Sequence, residues 1–181
     1  MKRLFVSIAL LAVVPVVLAQ KKPPASPPEQ ASISLAGHTI TIDYSAPSVK
    51  GREGHIFGPG GLIQKTHKEY PIWRAGANAA TTLTTDTDLK VGDIDVPAGK
   101  YTLFVDISDP DHWVLIINKK TGEWGLAYDA SQDLGKTPMT MAPPPEMVEQ
   151  LKYILTSTSN TRGTLVLAWE NHFASVPIEV K

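Results

Sequence analysis

Thr39-Ile40-Thr41-Ile42-Asp43-Tyr44 sets polar and apolar side chains in strict alternation. Successive side chains of an extended chain point to opposite faces, so the pattern describes a strand with one buried face and one wet face. Ile33 and Leu35 repeat it just upstream, and the Ala36-Gly37-His38 break is short enough for a hairpin in which Gly37 takes a positive φ. Downstream, Leu89 and Val91 lead to Gly92-Asp93, and Ile94 and Val96 lead to the turn Pro97-Ala98-Gly99. Tyr101, Leu103, Val105 and Ile107 then face one way. In His112-Trp113-Val114-Leu115-Ile116-Ile117-Asn118 both alternate sets are apolar, which predicts a central strand covered on both faces.

From Gly122 to Pro145 the glycines and prolines predict loops, an edge segment and at most a short helix before Gly135. Three strands follow, around Leu151-Tyr153-Leu155, Leu165-Leu167-Trp169 and Val176-Ile178-Val180, with a turn at Ser159-Asn160-Thr161-Arg162-Gly163. Pro177 lacks a backbone donor, which puts the last strand at an edge or turns that position away from its neighbour. Many short strands and almost no helical period predict an all-β fold, an antiparallel β-sandwich or jelly-roll-like barrel, as one domain over residues 31–181. The cysteine and tryptophan spacing of immunoglobulin domains is absent.

Ahead of this domain, Met1-Lys2-Arg3 is followed by an apolar run from Leu4 to Leu18 and by Val17-Leu18-Ala19, the three parts of a secretory signal peptide over residues 1–19. The run is broken by Pro15 and falls short of the roughly 20 apolar residues of a transmembrane helix, so no span is expected after cleavage. Residues 20–30 read as an extended Pro-rich leader. The expected location is therefore periplasmic or extracellular. The chain has no cysteine, which excludes disulfides, a lipid-modified cysteine and thiolate metal sites. Loss of Lys2 and Arg3 from 17 basic residues leaves 15 against 18 acidic ones, a formal −3. That balance carries no footprint for nucleic acid, and the partners expected are small molecules, glycans or proteins.

Trp73-Arg74-Ala75-Gly76-Ala77-Asn78 mixes a flat aromatic, a permanent cation, a permissive glycine and an amide, just before Thr81-Thr82-Leu83-Thr84-Thr85. This is the composition of a polar recognition site or of a rigid polar corner. Together with Pro47-Ser48-Val49-Lys50-Gly51-Arg52, Ile56-Phe57-Gly58, Val96-Pro97-Ala98-Gly99-Lys100-Tyr101, Trp169-Glu170 and Val176-Pro177-Ile178, it resembles the bacterial family called domain of unknown function 2911. The resemblance covers roughly Gln30 to Lys181 and implies an exported, largely β domain with no established activity. Two departures stand out. The compact Pro-Tyr-Gly turn of that family is replaced by the longer Gln64–Pro71 connection, and Ala79 stands where relatives commonly carry Glu. If that carboxylate were catalytic in relatives, this chain would lack it.

Arg74 offers a planar fork for a carboxylate or phosphate, Trp73 a face for a sugar or ring, and Lys50, Arg52, Asn78 and Glu170 complete the candidate ligand-binding set. The alternative is architectural: Trp73 in the core, Arg74 tied to an acid such as Glu170, and Asn78 bonding backbone in a turn. The histidines at 38, 55, 67, 112 and 172 form no paired ligand signature and read mostly as exposed loop residues, although His55 and His67 bracket the Gly-Pro connection and can converge. Asp86-Thr87-Asp88, Asp93-Ile94-Asp95 and Asp109-Pro110-Asp111 do not follow a calcium loop and read as solvated turns. Gly58-Pro59-Gly60-Gly61 is not a phosphate loop, since Pro59 removes a donor and no helix is expected after it. No cysteine nucleophile, Gly-x-Ser-x-Gly elbow or Ser-x-x-Lys pair occurs. The sequence thus assigns no catalytic residue, cofactor or metal and no oligomeric state. It favours a non-enzymatic exported β-sandwich that binds a small polar ligand or glycan, with a structural or protein-interaction module and a hydrolase using dispersed His and Asp groups as alternatives.

Overall fold

A computed structural model of the chain describes residues 24–122, 124 and 127–181. The signal peptide read over residues 1–19 lies outside the described residues. Thirteen strands follow in order: β1 Pro28–Leu35, β2 His38–Ser45, β3 Ile72–Trp73, β4 Thr82–Thr85, β5 Leu89–Val91, β6 Ile94–Val96, β7 Gly99–Asp106, β8 Val114–Asn118, β9 Asp133–Pro138, β10 Thr140–Ala142, β11 Val148–Ser157, β12 Arg162–Glu170 and β13 His172–Val180. One short helix, α1, spans Leu62–Thr66.

The strands form two antiparallel sheets. A seven-stranded sheet runs β1-β2-β4-β7-β8-β9 with β3 also paired to β7, and a six-stranded sheet runs β11-β12-β13-β5-β6 with β10 also paired to β13. Neither sheet closes on itself, so the architecture is a β-sandwich rather than a barrel. Between the sheets, Ile40, Ile42, Leu83, Leu103, Val105 and Leu115 meet Leu89, Val91, Leu165, Leu167, Val176 and Ile178 in one buried cluster. The expected alternation accounts for this: every second residue of each strand faces inward.

The first hairpin turns through Ala36 at φ 51° and Gly37 at φ 85°, both left-handed as a two-residue turn between twisted strands requires. In β8, Leu115, Ile116 and Ile117 are all buried, as the doubly apolar stretch predicts. Phe104 and Ile116 are buried outside the inter-sheet cluster, and Tyr128 packs edge-on against Phe104 at 5.1 Å.

Three expectations change, and the choice left open for Pro177 falls to its second option. The Pro-rich leader does not extend to residue 30, because Pro28, Glu29 and Gln30 already pair with Ser45, Tyr44 and Asp43. The irregular stretch before Pro145 contains strands β9 and β10, with only a single 3₁₀ turn at Ala130–Gln132. A helix does follow Gly58-Pro59-Gly60-Gly61, namely α1. A Cβ on Gly61 would sit 2.6 Å from the Phe57 carbonyl oxygen, so the tight approach that starts α1 demands glycine. Finally, β13 is interior, between β12 and β5. Pro177 is tolerated there because its carbonyl, and hence its nitrogen, faces the β5–β6 turn, where Gly92 N–H donates to Pro177 O at 2.9 Å.

Candidate functional site: a cationic cavity at one end of the sandwich

The stretch from Trp73 to Asn78 leaves β3 and makes a corner before β4. Trp73 pairs with Val105, is fully buried and stacks on Trp169 of the other sheet with ring centroids 5.9 Å apart. Phe57 packs on Trp73, Trp113, Trp169 and His172 with centroids 5.6, 5.0, 5.7 and 4.4 Å away, forming an aromatic plug across the sheets. Ala75 and Asn78 then take left-handed φ values of 51° and 56°, which cost a non-glycine residue on the order of 1–2 kcal/mol each. The surroundings hold them there. Tyr153 Oη and Thr81 Oγ1 donate to Ala75 O at 2.9 and 3.0 Å, and Ala77 N–H donates to Ser45 O at 3.1 Å. Gly76 leaves no room, since a Cβ would meet Thr81 Oγ1 at 2.9 Å and Ser45 O at 3.2 Å.

Beside this corner lies a cavity of about 300 Å³, at the lower end of the size range of small-molecule sites. Its walls come from distant parts of the chain: the β2–α1 loop with Lys50 and Arg52, α1 with Leu62 and Ile63, His67, the corner with Trp73 and Arg74, and Trp169 at the end of β12. Ala25 and Ser26 of the leader form part of the rim. Among the described residues three cations line it and no Asp or Glu does. Arg52 is anchored, donating from Nε to Val49 O at 2.9 Å and from Nη2 to Ser48 O at 2.7 Å.

Arg74 is different. Its Nε and Nη1 are buried without a hydrogen-bond partner among the described residues, and burial alone lowers its pKa, with no carboxylate opposing. Next to it, His67 is 8 % exposed. Its Nδ1 lies 3.1 Å from both Ile63 O and Thr66 Oγ1, while Nε2 is buried and unpartnered. Burial, and then the charge of Arg74, push the His67 pKa down to about 4, against the Ile63 hydrogen bond. Trp169 Nε1, 2 % accessible as a residue, is likewise buried and unpartnered. Of the five unpartnered buried side-chain atoms among the described residues, four belong to these three residues of one cavity wall. Native structures satisfy nearly all buried polar groups, so four exceptions gathered in three residues that line one cavity are a signature of a missing partner.

Of the candidate residues, Lys50, Arg52, Trp73 and Arg74 line this cavity, and Asn78 and Glu170 do not join them. Asn78 Nδ2 instead donates to Ser26 O at 3.3 Å and ties the leader across the rim. Glu170, left-handed at φ 55°, turns off the end of β12. Its Oε1 accepts from Gly54 N–H at 2.6 Å, and its Oε2 lies 3.5 Å from His172 Nδ1, too far for a hydrogen bond. The expected Arg74–Glu170 pair is absent, and burial raises the Glu170 pKa. His67 and Trp169 were not among the candidate residues; the Ile63-to-His67 spacing of four, on a helical turn, was the available signal for the first. His55 does not join His67 in the cavity, and His67 and His172 are not exposed loop residues as their setting suggested. His38 and His112 do sit on the surface, 3.2 and 3.0 Å from Asp86 and Asp109. No cluster of three or more metal-ligating side chains occurs among the described residues, and no helix among them is long and apolar enough to cross a membrane.

The family model described as protein of unknown function, DUF2911, matches residues 26–178, from the leader on the cavity rim to the last strand. The chain belongs to the DUF2911 family. No curated protein and no solved structure matches it. All cavity-lining residues of this DUF2911 protein except Ala25 fall inside the matched span.

Proposed function

We propose that this protein binds a small anionic ligand in the cavity beside Arg74, and that it does so as an exported protein. The observation that carries the reading is the half-buried guanidinium of Arg74, whose Nε and Nη1 are buried and unpartnered, in a cavity whose described lining holds three cations and no carboxylate. A planar guanidinium recognises carboxylate or phosphate oxygens through several charge-assisted hydrogen bonds, which supply the missing partner. A neutral glycan supplies no charge for it, so the anion is favoured over the glycan. The corner itself is held by Tyr153, Thr81 and Ser45, none of which needs Arg74, and this weighs against a purely architectural role. The His–Asp pairs at 38/86 and 112/109 lie outside the cavity and lend nothing to a hydrolase.

The test is thermal stabilisation of the purified domain by carboxylates, inorganic phosphate and neutral sugars, repeated with Arg74→Gln. Anions are expected to raise the melting temperature, neutral sugars are not, and Arg74→Gln is expected to abolish the effect while keeping a native far-UV spectrum. Stabilisation that survives Arg74→Gln, or none by any anion, overturns the reading.

A further inference from the structure

The wall beside Arg74 holds a second, chemically different group. His67 Nδ1 lies 3.1 Å from two oxygens, and each constrains where its proton sits. Ile63 O is a carbonyl and only accepts. Thr66 Oγ1 already donates its one proton to Leu62 O at 2.8 Å, so toward His67 it accepts as well. Both contacts require a proton on Nδ1. In a neutral imidazole the other nitrogen then carries a lone pair, and Nε2 is the buried, unpartnered atom. A second proton on this ring is opposed by burial and by the neighbouring guanidinium. The residues of the cavity wall therefore include one buried, unpartnered side-chain acceptor, His67 Nε2, beside the unpartnered donors of Arg74 and Trp169.

Simple carboxylates satisfy the donors and leave the acceptor empty. We propose that the ligand is a hydroxy acid: a carboxylate gripped by Arg74, with a nearby hydroxyl that donates to His67 Nε2. This deepens the anion-binding reading and rests on it. A phosphate monoester is the nearest rival, because its monoanion also carries an O–H. Its second pKa of about 6 leaves that proton mostly absent at neutral pH, whereas an alcohol always keeps its own. The apolar side chains of Leu62, Ile63 and Trp73 suit a carbon skeleton better than a bare inorganic anion.

The experiment compares matched acids that differ only in the hydroxyl, lactate against propionate and mandelate against phenylacetate, with inorganic phosphate as a further arm. Binding to the full domain at neutral pH is followed by the indole N–H resonance of Trp169, which reports on the cavity wall. The hydroxy member of each pair is expected to bind at least about tenfold more tightly, since a site built around a hydroxyl leaves a buried group unpaired with the analogue that lacks it. His67→Leu is expected to bring the ratio to about one with carboxylate binding retained, and His67→Gln, whose amide oxygen accepts, to restore part of the preference. Equal affinity within both wild-type pairs overturns the proposal without any variant, as does a preference that persists in His67→Leu. Binding of phosphate with no acid bound overturns the hydroxy acid and leaves the anion reading standing. Silence toward every probe removes both.

Discussion

Arg74 keeps its charge although two of its three guanidinium nitrogens, Nε and Nη1, are buried with nothing to hold. A buried cation without a partner is costly, and an apolar side chain of similar length avoids that cost. Arg74→Met is therefore expected to stabilise the free protein by about 1 kcal/mol or more, read as a rise in melting temperature of roughly 2–4 °C per kcal/mol. The same variant is expected to lose anion binding, the usual conflict between stability and function at a site. His67 adds a pH dependence. Its folded pKa is lowered to about 4 from the usual 6.5, so between those values the unfolded chain binds the extra proton. Stability is thus complete above pH 6.5 and falls as pH drops toward 4, by at most about 3.5 kcal/mol at roughly 1.4 kcal/mol per unit. Urea denaturation of His67→Leu is expected to lack this component of the acid slope. At this scale the sequence pointed to Arg74 and Trp73 because one short stretch mixes an aromatic, a permanent cation, a glycine and an amide. It pointed to Glu170 as an acid for Arg74, whereas Glu170 turns off the end of β12 to accept from Gly54 N–H and Trp169 lines the cavity.

Among the elements, most strands and the first hairpin are legible in the sequence, and the order of the strands across the two sheets is not. Alternation is local and survives any sheet order; the crossover that puts β13 between β12 and β5 is a long-range choice, settled by which inward faces fit together. Helix α1 escaped notice because its five residues are too few to show a period, and its start depends on Gly61 folding back on the Phe57 carbonyl. The loop that carries α1 is pinned by Phe57, whose ring touches four others from both sheets. Phe57→Ala is expected to cost about 3–5 kcal/mol and to loosen α1, His67 and the cavity together. Chemical denaturation gives the first, and hydrogen exchange at the amides of Ile63 and His67, which donate to Ile56 O and Ile63 O, gives the second. Unchanged exchange there would show that the loop holds itself.

At the scale of the whole molecule, one hydrophobic cluster joins both sheets and no disulfide assists it. Three of the four tryptophans sit in the plug between the sheets, while Trp124 is exposed. Tryptophan fluorescence therefore reports the contact between sheets, and far-UV circular dichroism the sheets themselves. The two unfolding curves are expected to coincide, because neither sheet buries its inner face without the other. A fluorescence change that precedes the loss of sheet signal would contradict this. The tie between Asn78 and Ser26 also fixes the routing of the chain ends. Whatever precedes residue 24 departs from the rim of the cavity, whereas Lys181 lies beside Asp88 and Asp95, near the Arg162 end of β12. Nine residues of strand separate that end from Glu170, roughly 25 Å at 3.3 Å per step. A fluorophore, surface linker or fusion partner joined at Lys181 leaves the cavity mouth clear, and the same attachment made directly at Pro24 stands in its doorway.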